Sequence, residues 1–450
     1  MTKAAHDLPK RMDCDRADRP LRIALVYSRL PFPMMRGDQL TVAHLLSFFG
    51  ARGHAVDFYT LDMQGAMSPV QRAWLEDACA QVRIYTQGWW SRLSGLARGL
   101  LKGQPLQVGL FQNAQLTRDL HAQAAAGEYD VIYSYYMRSA PTIPSHLGRD
   151  RARPEAAADG TPATFLALQL SQSLNTRRIW KNEKNLLKRL FYRIETGLCE
   201  AYEARVWQRF TRSVLIGPAD VAAIKAVCAL RNEPAIDNWV YGAHGTDIGR
   251  YPPARPDEIV PGRVVFSGSM LYQPNVQAVH WFVDHCWPRV RERIPDATLI
   301  IQGRDPLASI RALDGTQGIS VTGTVPDIGI VVRSAAVCIN PMGAAGGMQN
   351  KLIEYMASAK AIVATPIANE GIMAPADTLR LADGADAFAD GVIDLLDHPD
   401  EALALGQRAR AHVVENWTWE AHFLKLEQEF LKALGHVAHP RPRLRTSAAV

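Results

Sequence analysis

Several signatures are missing from this 450-residue chain, and each absence removes a class of function. The six cysteines, Cys14, Cys79, Cys199, Cys228, Cys286 and Cys338, never stand as a Cys-x-x-Cys pair, and no His-Glu-x-x-His occurs. A zinc ribbon and a zincin site are therefore not written here, and the scattered thiols read as buried groups of a cytosolic protein. There is no Gly-x-Gly-x-x-Gly after a strand, so nicotinamide chemistry loses its usual fingerprint. No window approaches the roughly 20 apolar residues of a membrane-spanning helix. Charge of one sign is also lacking: 50 Lys and Arg face 45 Asp and Glu, a net +5 too mild for a typical nucleic-acid binder. The polar N-terminus, MTKAAHDLPKRMDCDRADRP, has no apolar stretch of the secretory kind.

What is present is the material of ordinary globular domains. Hydrophobic residues make up 48% and charged residues 21%, enough for real cores, and the length suggests two or three domains. The run RIALVYS at 22–28 is apolar on both faces, as a central parallel strand requires, and a helix with Asp38 as its N-cap follows at 38–49. With a second strand at 55–60 this makes a βαβ unit, and strand-like runs continue at 82–85, 131–135, 164–168, 213–216 and 239–241. The stretch 148–163, rich in charge, Ala, Gly and Pro, reads as a flexible surface insertion.

A second rhythm begins after the Pro-rich segment 251–256, with strands expected at 264–266, 297–302, 319–322, 336–340 and 361–365 and a helix over 275–293. The organisation expected is a disordered lead-in over 1–20, one α/β domain over 21–250, a second over 251–417, a helix over 418–436 returning to the first domain, and a disordered tail over 437–450. The hinge falls near 245–260.

Candidate chemistry lies in the loops after strands, where α/β folds bind ligands. Asn340-Pro-Met-Gly-Ala-Ala-Gly-Gly-Met-Gln-Asn-Lys-Leu-Ile-Glu-Tyr-Met356 is the richest. A strand ends, a glycine-rich turn including Gly346 and Gly347 follows, and a helix is expected from near Met348, its amides with Gln349 and Asn350 facing an anion. Lys351 adds a mobile positive charge and Glu354, three residues on, shares its face. This suits a nucleoside diphosphate, with amides and Lys351 for phosphate oxygens and Glu354 accepting from ribose hydroxyls; a plain surface Lys/Glu pair is the alternative. Gly268 and Ser269 before Asn275, Gly303 and Arg304, and Thr322 to Asp327 with Thr324, outline the rest of one rim. Arg36-Gly37-Asp38 in the first domain is a weaker anion or sugar contact, equally readable as a loop glycine beside a cap.

These residues are familiar together. VVFSGSMLYQPN at 264–275 with Trp281 and Phe282, ATLIIQGRDP at 297–306, residues 322–327, and GMQNKLIEYMA at 347–357 followed by AIVATP at 361–366 resemble family-four GT-B glycosyltransferases, in particular the bacterial branch of sugar transferases associated with exopolysaccharide and exosortase systems. The resemblance covers most of residues 20–430. It implies two Rossmann-like doubly wound domains facing each other across a cleft, the second holding a nucleotide-activated sugar and the first the acceptor, with anomeric configuration retained. Glu354 matches the second acid of the family's Glu-x7-Glu motif, which binds the donor ribose; the first falls at Gly346. Many relatives carry Arg and Lys after the strand that here ends near Phe266, where this chain has Ser267, Gly268, Ser269 and Asn275, so leaving-group charge falls on Lys351 and the 346–350 amides. The resemblance implies no cofactor, and no Asp-x-Asp is placed for a metal. His244-Gly-Thr-Asp247 corresponds to a structural turn. Tyr135, Tyr136 and Arg138 follow a strand on the acceptor side, with a surface-aromatic reading equally open. A non-catalytic sugar-nucleotide scaffold and a GT-B epimerase or hydrolase are the alternatives to transfer.

Two segments bear on membranes. Residues 175–193 carry seven Lys or Arg against one Glu, interleaved with Ile179, Trp180, Leu186, Leu187, Leu190 and Phe191, and 89–102 opens on Trp89 and Trp90. Basic amphipathic helices of this kind lie on anionic lipid, each basic residue contributing about 1 kcal/mol. The expectation is peripheral attachment at the inner face of a bacterial plasma membrane with a lipid-linked glycan as acceptor; two solvated helices packed on the first domain's sheet are the plainer alternative.

Overall fold

The computed structural model describes residues 8–9, 11–34, 36–63, 65, 67–147, 161–182, 185–242, 245–270, 272–325, 327–343 and 348–435. The chain divides into two compact units, one of residues 1–216, 220–243 and 423–450, the other of 217–219 and 244–422. The expected insertion lies outside the described residues for 148–160, and Ala163 already opens a strand. His244, Gly346 and Gly347 also fall outside them.

The first unit is built on seven strands, β1 (Arg22–Tyr27), β2 (Ala55–Asp62), β3 (Gln81–Thr86), β4 (Val131–Tyr135), β5 (Ala163–Gln169), β6 (Arg212–Leu215) and β7 (Trp239–Tyr241). They pair in the order β3-β2-β1-β4-β5-β6-β7, and every pairing is parallel. Ile23 of β1 registers with Val56 on one side and Val131 on the other, which is why RIALVY is buried on both faces rather than alternating. Tyr133 and Phe165 pack around Phe430 of the last helix, Trp419–Ala433, at 5.7 and 4.6 Å between ring centroids. Arg52 fastens the same helix through a two-pronged bridge to Glu427, both bonds 2.9 Å and almost wholly buried. Against the upward push of desolvation, the His54 ring and the Arg52 guanidinium together hold the Glu427 carboxyl below its ordinary range.

The second unit repeats the plan with β8 (Arg263–Ser267), β9 (Thr298–Gln302), β10 (Ile319–Gly323), β11 (Val337–Asn340), β12 (Ala361–Ala364) and β13 (Arg380–Leu381), ordered β10-β9-β8-β11-β12-β13 and parallel throughout. The two-residue edge strand β13 has no hydrophobic run to announce it. In both sheets the order reverses beside the first strand, between β1 and β4 and between β8 and β11, and that reversal opens a crevice above the strands' C-terminal ends.

Four sequence readings need correction. The helix expected over 275–293 is two, Gln273–His285 and Trp287–Arg293, because Pro288 has no N–H to continue the first. The basic run over 175–193 is likewise two helices, Gln172–Asn182 and Leu186–Val206, the second capped by Asn185 accepting from the Lys188 amide. The helix after β1 starts at Gly37, so Asp38 lies inside its first turn and is not its cap. Tyr135 is the last residue of β4 and wholly buried edge-on to Tyr27, so it faces no ligand.

Cys79, Cys199, Cys228, Cys286 and Cys338 are buried, and burial pushes the Cys338 thiol up to about 12. Among the described residues no helix is long and apolar enough to cross a membrane.

Candidate functional site

The crevice of the second sheet holds a cavity of about 520 Å³ at the C-terminal ends of β8, β9, β10 and β11. Each strand delivers a short loop to it. Ser267 ends β8 and Gly268, Ser269, Tyr272 and Asn275 follow it, Gln302 ends β9 with Gly303 and Arg304 next, Thr324, Val325 and Ile328 come after β10, and Met348 to Lys351 with Glu354 come after β11. Of the residues singled out in sequence, Gly268, Ser269, Asn275, Arg304, Thr324, Met348, Gln349, Asn350, Lys351 and Glu354 all line it.

The helix after β11 begins at Asn350, two residues later than expected, and runs to Ala357. Leu352, Ile353, Tyr355 and Met356 are buried, which fixes its rotation. Tyr355 locks the register: its hydroxyl oxygen accepts from the Ser267 amide at 2.7 Å and lies 2.9 Å from the Ser267 hydroxyl, tying the helix to the end of β8. With that face committed, Lys351 and Glu354 are left on the cavity side at i and i+3. No side chain caps the helix start; the Leu352 amide is taken by the Gln349 carbonyl at 2.9 Å, which leaves the Asn350 and Lys351 amides as the first-turn donors for a ligand.

Lys351 is neither mobile nor at the surface. Its Nζ donates to Asn275 Oδ1 at 2.6 Å, lies 4.3 Å from the centre of the Phe266 ring, and the residue is only 8% exposed. Burial pulls its amine down from 10.5 to about 7, against the opposing pull of Glu354. An anion placed beside it would restore the charge, so the group is poised to answer a ligand. Burial pushes the Glu354 carboxyl up, offset by the Tyr251 hydroxyl, which hydrogen-bonds it, and by Lys351.

Two glycines make the approach of these loops possible. A Cβ on Gly303 would stand 1.8 Å from the Gly268 carbonyl oxygen, and one on Gly268 would stand 2.7 Å from Asn275 Nδ2 and 3.3 Å from Lys351 Nζ. Side chains there would fill the cavity's floor. Tyr251 and Ile328 escaped sequence reading, whereas Tyr272, Gln302 and Val325 stand inside stretches it singled out without being named as contacts; Tyr251 stands in the Pro-rich hinge, where no local pattern marks a partner for Glu354. Among the described residues no three His, Cys, Asp or Glu side chains gather in a way that could hold a metal ion.

The weaker candidates lie in the first unit. Gly37 opens the helix after β1, and Asp38 accepts from the Tyr27 hydroxyl at 2.9 Å and faces Arg29 at 3.8 Å and Arg36 at 3.3 Å. Tyr136 and Arg138 follow β4, Tyr136 with a left-handed φ of 74°, and the Arg138 guanidinium stacks 4.8 Å from the Tyr136 ring. Structure thus brings Asp38, Tyr136 and Arg138 to one rim.

Two parallel sheets with this strand order, each reversing beside its first strand, define a protein of two Rossmann-like units. Residues 261–398 match the family model described as glycosyl transferases group 1. A Klebsiella pneumoniae protein described as an uncharacterized 44.6 kDa protein in the cps region is 19% identical over 425 residues, 91% of this chain and 99% of its own. Sucrose-phosphate synthase of Thermosynechococcus elongatus shares the fold at a TM-score of 0.54 and 17% identity, over 92% of this chain and 99% of that one. Anabaena HepE, solved in complex with UDP, does so at 0.55 and 14%, over 92% and 100%. The chain thus has the two-sheet GT-B fold, and its second unit carries a glycosyl transferases group 1 domain over residues 261–398.

Proposed function

We propose that this enzyme is a retaining glycosyltransferase that takes a sugar from a nucleoside-diphosphate sugar bound in the second unit and delivers it to a lipid-linked glycan in bacterial exopolysaccharide biosynthesis. The observation that carries the reading is the convergence of Lys351, Glu354, Asn275 and the uncapped start of helix Asn350–Ala357 in one cavity at the sheet's switch point. The UDP bound in Anabaena HepE supports a uridine donor as the first to try, and the capsule-region relative supports a polysaccharide pathway.

In this reading the diphosphate sits against the amides of Asn350 and Lys351, and the Lys351 amine takes up a proton as the phosphate arrives. Glu354, held by Tyr251, accepts from the ribose hydroxyls. During transfer the bond from the anomeric carbon to the phosphate oxygen breaks while the acceptor oxygen bonds to the same face. The acceptor's proton passes to the departing phosphate oxygen, so no side chain is assigned as base. Lys351 and the amides meet the charge that grows on the leaving group, and the reading assigns no metal.

Membrane attachment belongs to the same reading. Trp89 and Trp90, 68% and 82% exposed, and Leu186, Leu187, Leu190 and Phe191 stand out from the first unit among basic residues. Gly95 and Gly99 let helix Trp89–Leu101 lie against Gly109 of helix Leu106–Leu110, whose first amides bond Glu195 of helix Leu186–Val206. One chain of contacts therefore joins both apolar faces.

The test is a thermal-shift screen against UDP, GDP, ADP and dTDP. A selective rise in midpoint, lost in Glu354→Gln, is expected, because a ligand that binds only the folded state stabilises it. No rise with any nucleotide would overturn the donor site.

A further inference from the structure

The switch point of the first sheet holds a charge imbalance that the donor site does not use. Arg29 follows β1, Arg36 precedes the helix Gly37–Ala51, and Arg138 follows β4, all at the C-terminal rim where this sheet's order reverses. Among the described residues one carboxylate answers them. Asp38 faces Arg29 at 3.8 Å and Arg36 at 3.3 Å, and its remaining capacity is drawn on by the Tyr27 hydroxyl.

Arg138 has no carboxylate within ion-pair distance among the described residues. Its Nε donates to the neutral amide oxygen of Gln107 at 3.2 Å, and its guanidinium lies between the rings of Tyr136, at 4.8 Å, and Phe111, at 5.1 Å. Arg29 stands over the same Phe111 ring at 5.6 Å, its side chain 18% exposed and its Nε buried without a hydrogen-bond partner. Two guanidiniums thus share one aromatic ring, held there by packing although they repel each other. The backbone reaches this arrangement at a cost, since Tyr136 adopts the left-handed region that disfavours a side chain.

We infer that Arg29 and Arg138 form a subsite for the phosphate of the acceptor, with Arg36 at its exposed edge. Three guanidiniums against one carboxylate leave two positive charges, which a phosphate monoester or pyrophosphate matches and a single carboxylate does not. Planar donors stacked on rings also present the paired N–H groups that phosphate oxygens take two at a time. Gln107, which orients Arg138, belongs to helix Leu106–Leu110, the element linking the two exposed apolar helices. A phosphate carried on a lipid would therefore arrive beside its subsite. The inference rests on the proposed transfer to a lipid-linked acceptor, and names the group by which the acceptor is held.

The test uses the full chain saturated with UDP, so that the second unit is occupied, and titrates inorganic pyrophosphate and farnesyl pyrophosphate by calorimetry. The wild type is expected to bind both, and Arg29→Gln and Arg138→Gln each to weaken binding ~10-fold or more, the loss of a charge-assisted contact. UDP affinity, which reads the second unit, stays at the wild-type value in both variants and shows that they are folded. Tighter binding of the farnesyl ester assigns the site to a lipid-borne phosphate, and equal binding to the free anion. Absence of pyrophosphate binding in the UDP-saturated wild type, unchanged binding in both variants, or equal binding of glucuronate overturns the inference. Failure of UDP itself to bind would instead strike the donor site, since pyrophosphate can then be titrated at the arginines alone.

Discussion

Replacing Lys351 by methionine keeps the buried stem and removes one positive charge from the proposed donor cavity. The amine is 8% exposed, bonded to Asn275 at 2.6 Å, and lowered by burial to about 7. A charge-assisted hydrogen bond to a phosphate oxygen is worth about 1.5–3 kcal/mol, so at pH 6.5 the variant should bind UDP roughly 10- to 150-fold more weakly. Above pH 7 the wild type must first protonate the amine, at about 1.4 kcal/mol per pH unit, so the two proteins should converge between roughly pH 8 and pH 9. Calorimetry from pH 6.5 to 9 reads both effects, and buffers of different ionisation enthalpy read the proton taken up by the wild type alone. Folding supplies the control. Because the folded value lies below the ordinary 10.5, the unliganded wild type carries its full penalty below about pH 7 and sheds it as pH rises toward 10.5. Lys351→Met should therefore melt no lower than the wild type at pH 6.5. Equal UDP affinity at that pH, or a wild-type affinity flat to pH 9, would refute the assignment.

Gly303→Ala should destabilise the second unit by about 1–3 kcal/mol and weaken UDP binding, because its Cβ would stand 1.8 Å from the Gly268 carbonyl oxygen; an unchanged melting midpoint and affinity would show that the loops have slack. Trp287 is wholly buried and donates to the Gln317 carbonyl at 3.0 Å, so Trp287→Ala should cost ~3 kcal/mol or more by denaturant titration, and a loss under ~1 would contradict the packing. Replacing Trp89 and Trp90 together by serine should cut co-sedimentation with phosphatidylglycerol vesicles ~10-fold or more while leaving UDP affinity as it was. Retained vesicle binding would remove those indoles from the membrane reading.

The fold was legible because parallel strands buried on both faces must be written as unbroken apolar runs, and IALVY after Arg22 and AIVA at 361–364 are such runs. The edge strand Arg380–Leu381, paired over two residues, carries no such pattern. The rim of the second unit's cavity was also legible, since loops after strands with Gly, Asn and a Lys three residues before a Glu are local features. Helix boundaries were less so: Asp38 looked like a cap and is instead drawn to Tyr27 and Arg29, a contact with the neighbouring strand.

By itself, then, the sequence determined the two α/β units, the retained Glu354 and the lysine beside it, because hydrophobic period and turn chemistry are set by neighbours along the chain. Tertiary structure decided the rest. Burial against Phe266 and Asn275 turns Lys351 from a surface charge into a group near neutrality, and packing around Phe111 brings Arg29 and Arg138, 109 positions apart in sequence, to one ring. Desolvation and the pairing of distant charges depend on what surrounds a residue in space, and linear spacing carries no record of that.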